Sequence, residues 1–370
     1  AAYGTQFAAS LDEYEVKGKT LALISGRTAD NPALLKKIVD MGVSHVYLEK
    51  PGAPTVAELQ EMKEYAKSKG GPVYMGYNKN GTPYVKKALE FESKTAGAST
   101  TFVHNNAYKQ EELGECFERN AEGMLKNMAI HELALAATFY GVTADSIADV
   151  SVDAANSESL TLGDFTDFSK VDFTITTNAG KKVSIFADRC GGNGCEAVVR
   201  DAGGNPVFRS TLPDDEIAAE MAANEAAHPD WMPYFFLQER DYRTLKNLCA
   251  AHVGAREPGG PDGVATIEIA IEALKLAEYL TPEPEKQPVT DDEHLADLAA
   301  AMKVGDRCEV NPGGKRGEVK FLGKIPAIAP GWWVGVLYDE PVGKNDGSVK
   351  GRRCFECAMD HGGFVRPDKC

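Results

Sequence analysis

The chain is poor in the features that usually announce a function. No apolar stretch approaches the roughly 20 residues a bilayer-spanning helix needs, which excludes an integral membrane protein of the helical kind. Only three tryptophans and eight cysteines occur in 370 residues. A single C-x-x-C pair, Cys354 and Cys357, has no second pair to complete a tetrahedral zinc site, so no metal centre is expected. Phe355 beside it predicts a strand rather than a redox turn. The other cysteines, Cys116, Cys190, Cys195, Cys249, Cys308 and Cys370, are scattered, the usage of a reducing compartment. Positive charge is also short, with a net charge of −15. The deficit is uneven: residues 301–370 hold 12 Lys+Arg against 9 Asp+Glu, a balance of +3, leaving −18 for the first 300. An acidic body with a basic tail module argues against nucleic acid and suits an acidic peptide ligand.

What is present reads as a folded, multi-domain chain, 43% apolar and 26% charged. Thr20-Leu21-Ala22-Leu23-Ile24 is a near-continuous apolar run, as expected of a parallel strand buried on both faces. Asn31-Pro32 opens a helical pattern that ends at Met41-Gly42. A strand at residues 45–48, a helix at 55–69 and a strand at 72–77 complete a βαβαβ alternation, the signature of a doubly wound sheet. Residues 150–208 then alternate as several strands. After Leu280, Thr-Pro-Glu-Pro-Glu-Lys-Gln-Pro makes a stiff charged linker, and a short helix at 291–302 leads into the last segment.

Glu49-Lys50-Pro51 ends the second strand, where open α/β sheets place their ligand crevice. With Gly76-Tyr77-Asn78, Gly123-Met124-Leu125 and His131, it resembles the Gfo/Idh/MocA family of NAD(P)-dependent oxidoreductases over most of residues 11–281. The resemblance implies a Rossmann half followed by an open β-sheet domain. It maps the hydride-transfer residues onto Lys50, Asn127 and His131. Asn127 stands where the family has Asp, and an amide cannot charge-stabilise an imidazolium. A dinucleotide also needs a Gly-rich turn from a first strand into a helix, and only 48 residues precede Glu49. Gly192-Asn193-Gly194-Cys195-Glu196-Ala197 fits G-x-G-x-x-A, but its strand-like flanks read as a hairpin turn with no helix behind it.

The last segment carries the sharpest pattern. In Gly343-Lys344-Asn345-Asp346-Gly347-Ser348, two glycines bracket a tight loop that presents one cation and one amide. Gly331-Trp332-Trp333-Val334-Gly335-Val336, Tyr338-Asp339-Glu340-Pro341, Phe355-Glu356-Cys357 and Gly363-Phe364-Val365 surround it in order. These five blocks, within residues 302–369, resemble the CAP-Gly family, in its tubulin-folding cofactor B branch. The resemblance implies a small β-barrel module that holds acidic, aromatic C-terminal tails such as Glu-Glu-Tyr. Lys344 and Asn345 would take the carboxylates; Trp333, Phe355 and Phe364 would shape the groove. Cys354 departs from the family, which has Tyr before that Phe.

The expected architecture is therefore a partial doubly wound α/β domain (1–95), an α+β open antiparallel sheet domain (96–280), a linker with a short helix (281–300) and a small all-β CAP-Gly domain (301–370). The favoured reading is a non-catalytic scaffold that binds no cofactor, with Lys50, Asn127 and His131 vestigial. One alternative is an NAD- or NADP-dependent oxidoreductase whose cofactor half lies on a longer precursor; another is a tubulin-tail-binding factor. Partners are proteins: an acidic or aromatic tail at the terminal module, and a protein or the segment 1–11 covering the strand at Thr20 to Ile24. An Ala-rich start without Met fits a cleaved transit peptide, which sets the chloroplast beside the cytoplasm as an expected location.

Overall fold

The computed structural model describes residues 8–229, 233–255, 261, 263–281, 290–310 and 314–370. The chain divides into two compact units, Ala1–Thr281 and Pro282–Cys370. The expected linker at 282–289 and the start of the segment 1–11 lie outside the described residues.

The first unit opens with β1 (Leu21–Ile24), α1 (Asn31–Asp40), β2 (His45–Leu48), α2 (Val56–Ser68) and β3 (Val73–Met75). The strands form a parallel sheet in the order β1-β2-β3. Val46, Tyr47 and Leu48 of β2 are all within the core, whereas the apolar run of β1, expected to be buried on both faces, buries only Ile24 because β1 has a partner strand on one side alone among the described residues. Helix α2 starts at Val56 because Thr55 caps it: the Thr55 hydroxyl accepts the Glu58 N–H at 3.2 Å and donates to the Glu58 carboxylate at 2.7 Å. β1 is the outer strand. The Thr20 and Ile24 carbonyls accept N–H groups from His45 and Glu49, so Leu21 and Leu23 turn their backbone groups outward. No described residue pairs with that edge, and Leu23 is 54% exposed.

Next come α3 (Pro83–Ser93), β4 (Ser99–Asn105), α4 (Leu113–Arg119), α5 (Met124–Asn127) and α6 (Ile130–Tyr140). The strands β5 (Ile147–Val152), β6 (Glu158–Leu162), β7 (Phe165–Thr177), β8 (Lys182–Asp188), β9 (Gly194–Arg200) and β10 (Pro206–Leu212) follow. With β4 they make a sheet ordered β10-β9-β4-β8-β7-β5, β6 pairing onto β7. The sheet is mixed rather than wholly antiparallel, because β4 runs parallel to β8. β9 lies on the far side of β4, so residues 189–193 cross over the end of β4 and are not the hairpin expected. A side chain at Gly191 would meet the Asn105 amide at 2.7 Å. Gly194 runs straight into β9, so the G-x-G-x-x-A match leads into a strand.

Helices α7 (Asp215–Ala227), α8 (Pro233–Ala255) and α9 (Ile267–Leu280) bring the chain back to the small sheet. α9 packs on α2, α6 and β3, and the Met75 N–H donates to the Ala265 carbonyl at 2.8 Å. α8 places Leu245 and Cys249 against Tyr47 and Tyr74. The buried Arg189–Asp167 pair, 2.6 Å apart, anchors the turn before His131: the other Asp167 oxygen accepts the Met124 N–H at 2.9 Å.

The second unit holds α10 (Ala296–Ala300), β11 (Arg307–Val310), β12 (Lys315–Ile325), β13 (Ala329–Tyr338), β14 (Ser348–Val349), β15 (Arg352–Arg353) and β16 (Gly362–Val365). An antiparallel sheet β11-β12-β13-β16 encloses a core of Val310, Val319, Val334, Val336 and Tyr338, and β14 pairs with β15. The helix expected at 291–302 shrinks to α10. Leu295 takes a left-handed φ of 63°, and the His294 carbonyl is spent on the Trp332 N–H at 3.0 Å. Nor are Cys354 and Cys357 on a strand: the Cys354 and Phe355 N–H groups both go to the Gly347 carbonyl, at 3.0 and 3.3 Å.

The outward-facing amides of Leu21 and Leu23 are predicted to exchange with deuterium much faster than those of Ala22 and Ile24 in the isolated chain. Equal protection of all four would mean that the edge is covered.

Candidate peptide groove and a buried polar cluster

The loop between β13 and β14 is fixed by its own backbone. Lys344 N–H and Asn345 N–H donate to the Gly362 carbonyl at 2.8 and 3.2 Å, and Gly362 N–H returns a bond to the Asn345 carbonyl at 2.8 Å. The Asn345 side-chain oxygen accepts the Gly347 N–H at 2.9 Å, which leaves its Nδ2 without a partner among the described residues. Gly347 sits at a φ of 87° over the Phe355 backbone, where a Cβ would collide. Asp346 turns away to Arg353 at 2.7 Å, and that guanidinium, with the Ser348 hydroxyl, holds its carboxyl below the usual range. Lys344 is exposed and makes no ion pair among the described residues. The loop thus presents one ammonium and one amide NH₂, with its acidic residue neutralised.

Beside it lies an aromatic floor. Phe355 and Phe364 are 5.6 Å apart between ring centres, and Phe321 meets Phe364 edge-on at 6.3 Å. Gly335 makes room for them, since a side chain there would come within 2.6 Å of the Phe355 ring. Trp333 projects from the same side of β13 as Gly335, and the Arg366 guanidinium stacks on its ring at 4.0 Å. The Trp333 indole N–H is tied to the Ala329 carbonyl at 3.1 Å. Lys344, Asn345, Phe355 and Phe364 are therefore brought together, with Trp333 at the side. Phe321 was not singled out from the sequence, because its place opposite Gly335 is set by the β12–β13 register, which only the folded sheet shows.

In the body, Lys50, Asn127 and His131 do converge, but not as a Lys/carboxylate/His set. Lys50 Nζ donates to the Asn127 backbone carbonyl at 3.0 Å, while the Asn127 amide donates to Glu122 at 2.7 Å. His131 is buried edge-on to Tyr77 at 5.8 Å, and its Nδ1 has no partner among the described residues. Burial, then the charges of Lys50 and Lys79, push its pKa well below normal, so the ring is neutral at pH 7. Burial likewise lowers Lys50, against the pull of Glu122 and Glu49.

The carboxylate of this cluster is Glu132, which sequence reasoning missed. It lies fully buried between Lys79 at 2.5 Å and His104 Nδ1 at 3.0 Å. Burial alone would raise its pKa, but the Lys79 and His104 contacts hold it well below the usual range. His104, itself lowered by burial and by Lys79, is neutral and donates its Nδ1–H. These residues are 28 and 53 positions from Glu132, so no local spacing could reveal them. Asp241 joins the cluster from α8 within electrostatic reach of Cys195 and Tyr84.

The β1–α1 turn has one glycine, Gly26, where a side chain would come within 3.1 Å of Leu34. The Asp30 carboxylate sits at the start of α1 in a 2.8 Å pair with Arg27.

Sheet order and loop geometry together define a two-unit protein: an α/β body with a Rossmann-like parallel sheet and a β module that presents a cation and an amide beside an aromatic floor. Residues 304–370 match the CAP-Gly domain family, and residues 2–77 match the oxidoreductase family with an NAD-binding Rossmann fold. The chain thus carries a CAP-Gly domain at its C-terminal end and a Rossmann-type oxidoreductase segment at its N-terminal end. Tubulin-folding cofactor B of Arabidopsis thaliana is 58% identical over 80 residues, 22% of this chain and 33% of that protein. Dynactin subunit 1 of Gallus gallus is 52% identical over 65 residues, 18% of this chain and 5% of that protein. The chain thus spans a third or less of these two relatives. Among solved structures, a probable dehydrogenase from Thermotoga maritima superposes with a TM-score of 0.54 at 16% identity, over 71% of this chain and 78% of that one. Myo-inositol dehydrogenase from Corynebacterium glutamicum gives 0.52 at 18%, over 74% and 80%. At such identities the likeness is one of fold.

Burial raises the Asp241 carboxyl to about 6, against the pull of Arg240. A carboxyl raised above its unfolded value favours the folded state at low pH and loses that contribution as pH climbs from about 4 through 6. Asp241→Asn is therefore expected to raise stability at pH 7.5 by on the order of 2 kcal/mol and to flatten the pH 4–6 slope in thermal melts. A lower melting point at pH 7.5 would contradict this.

Proposed function

We propose that this chain is a protein-binding protein that holds an acidic, aromatic C-terminal tail in its CAP-Gly groove. Its oxidoreductase-fold body serves as a non-catalytic scaffold. The observation that carries the reading is the free Lys344 ammonium and Asn345 Nδ2 at the tip of a loop beside the Phe321, Phe355 and Phe364 rings. An ammonium and an amide side by side suit a terminal carboxylate and its neighbouring acid, and the rings suit a terminal Tyr or Phe. The names of the relatives, tubulin-folding cofactor B and dynactin subunit 1, support a tubulin-type tail as the ligand. The open edge of β1, with Leu23 exposed, is the second docking surface in this reading.

The body is read as non-catalytic because the Asn127 amide serves Glu122 rather than His131, and because the β1–α1 turn carries a single glycine, Gly26. One observation favours a second reading, an NAD(P)-dependent oxidoreductase completed by further sequence: the neutral His131 lies within reach of Lys50 and Lys79, the setting of a proton acceptor. Micromolar NAD(H) or NADP(H) binding by this chain in calorimetry, about 8 kcal/mol, would favour that second reading.

Replacing Lys344 by Ala is expected to weaken binding of a Glu-Glu-Tyr peptide by roughly 1.5–3 kcal/mol, while the fold, read by circular dichroism, stays intact. Unchanged affinity would remove Lys344 from the site.

A further inference from the structure

The CAP-Gly domain contains a pair of sulfurs that its groove does not use. Cys308 on β11 and Cys370, which follows the turn Pro367–Lys369, bring their Sγ atoms to 3.0 Å. They are 62 positions apart in the chain. Both border the core of Val310, Val319, Val334, Val336 and Tyr338 and are partly buried. Among the described residues no other two sulfurs approach this closely. Cys116 accepts instead from Arg189, and the Cys357 sulfur faces the Asn345 carbonyl. The 308–370 distance is about one ångström beyond a sulfur–sulfur bond, a gap that small side-chain rotations close.

We propose that Cys308 and Cys370 form a redox-modifiable dithiol, which a small-molecule disulfide converts into a bond stapling β11 to the segment after β16. The step balances as a thiol–disulfide exchange. The Cys308 thiolate attacks the reagent disulfide and expels one thiolate. The Cys370 sulfur, on losing its proton, attacks the mixed disulfide and expels the second; both thiol protons end on the released thiols. Burial, with the Cys308 contact, pushes the Cys370 thiol up to about 12, so the second step quickens as pH rises. The bond would close most of the domain into one loop, which restricts its unfolded state. The sulfurs border the Val310, Val319, Val334, Val336 and Tyr338 core, a cluster that does not include Lys344 or the Phe321, Phe355 and Phe364 rings.

The test equilibrates the full chain with oxidised glutathione, alkylates the remaining thiols and maps the peptides by mass spectrometry. The expected result is one cross-linked peptide joining positions 308 and 370. The tryptophan-monitored unfolding midpoint should rise by on the order of 10 °C, and Cys370→Ser should lose the rise and leave glutathione on Cys308. Glutathione adducts on both cysteines without a cross-link would overturn the proposal, as would oxidation confined to Cys354 and Cys357. Because the wild-type map needs no variant, a poorly folded Cys370→Ser leaves the answer intact.

Discussion

The carboxylate of Glu132 is the interaction on which the body depends. Fully buried, it joins three parts of the fold at one point: the turn after β3 through Lys79, β4 through His104, and α6 through its own backbone. A charge so placed is tolerated only because both oxygens are met, and losing either partner would strand the other ion in the core. The same arrangement decides the chemistry nearby. Glu132 is spent on Lys79 and His104, so His131 faces two cations with no carboxylate hydrogen-bonded to it, and its ring stays neutral.

The CAP-Gly domain solves the opposite problem, keeping polar groups available. Its loop pairs the Lys344, Asn345 and Gly347 N–H groups internally and neutralises Asp346 with Arg353, while Lys344 and the Asn345 Nδ2 have no side-chain partner among the described residues. The aromatic floor depends on positions that carry no side chain: Gly335 admits the Phe355 ring and Gly347 lies against the Phe355 backbone. An acidic body and a more basic terminal segment divide the charge in the sense an acidic tail requires.

Much of this was legible in the sequence where local chemistry decides structure. β2 falls at residues 45–48 and α2 at 56–68, as the βαβαβ alternation implied. The Gly-Lys-Asn-Asp-Gly loop was readable because its glycines are demanded by close backbone approach. What stayed hidden depends on partners distant in the chain. The parallel β4–β8 pairing turned an apparent hairpin at 189–193 into a crossover. The left-handed Leu295 delayed to Ala296 a helix that composition alone would have begun at 291, and the Gly347 carbonyl drew Cys354 and Phe355 off a strand. The Lys79–Glu132–His104 cluster was likewise invisible, because three sequence segments meet there only in the folded state.

The central claim is that the loop captures a terminal carboxylate, and one comparison tests it most directly. Calorimetric titration of the chain with a free-acid Glu-Glu-Tyr peptide and with the same peptide amidated at its C-terminus isolates that single group. The account predicts that amidation weakens binding about tenfold or more, the range of a lost charge-assisted hydrogen bond. Equal affinity for the two peptides would contradict it.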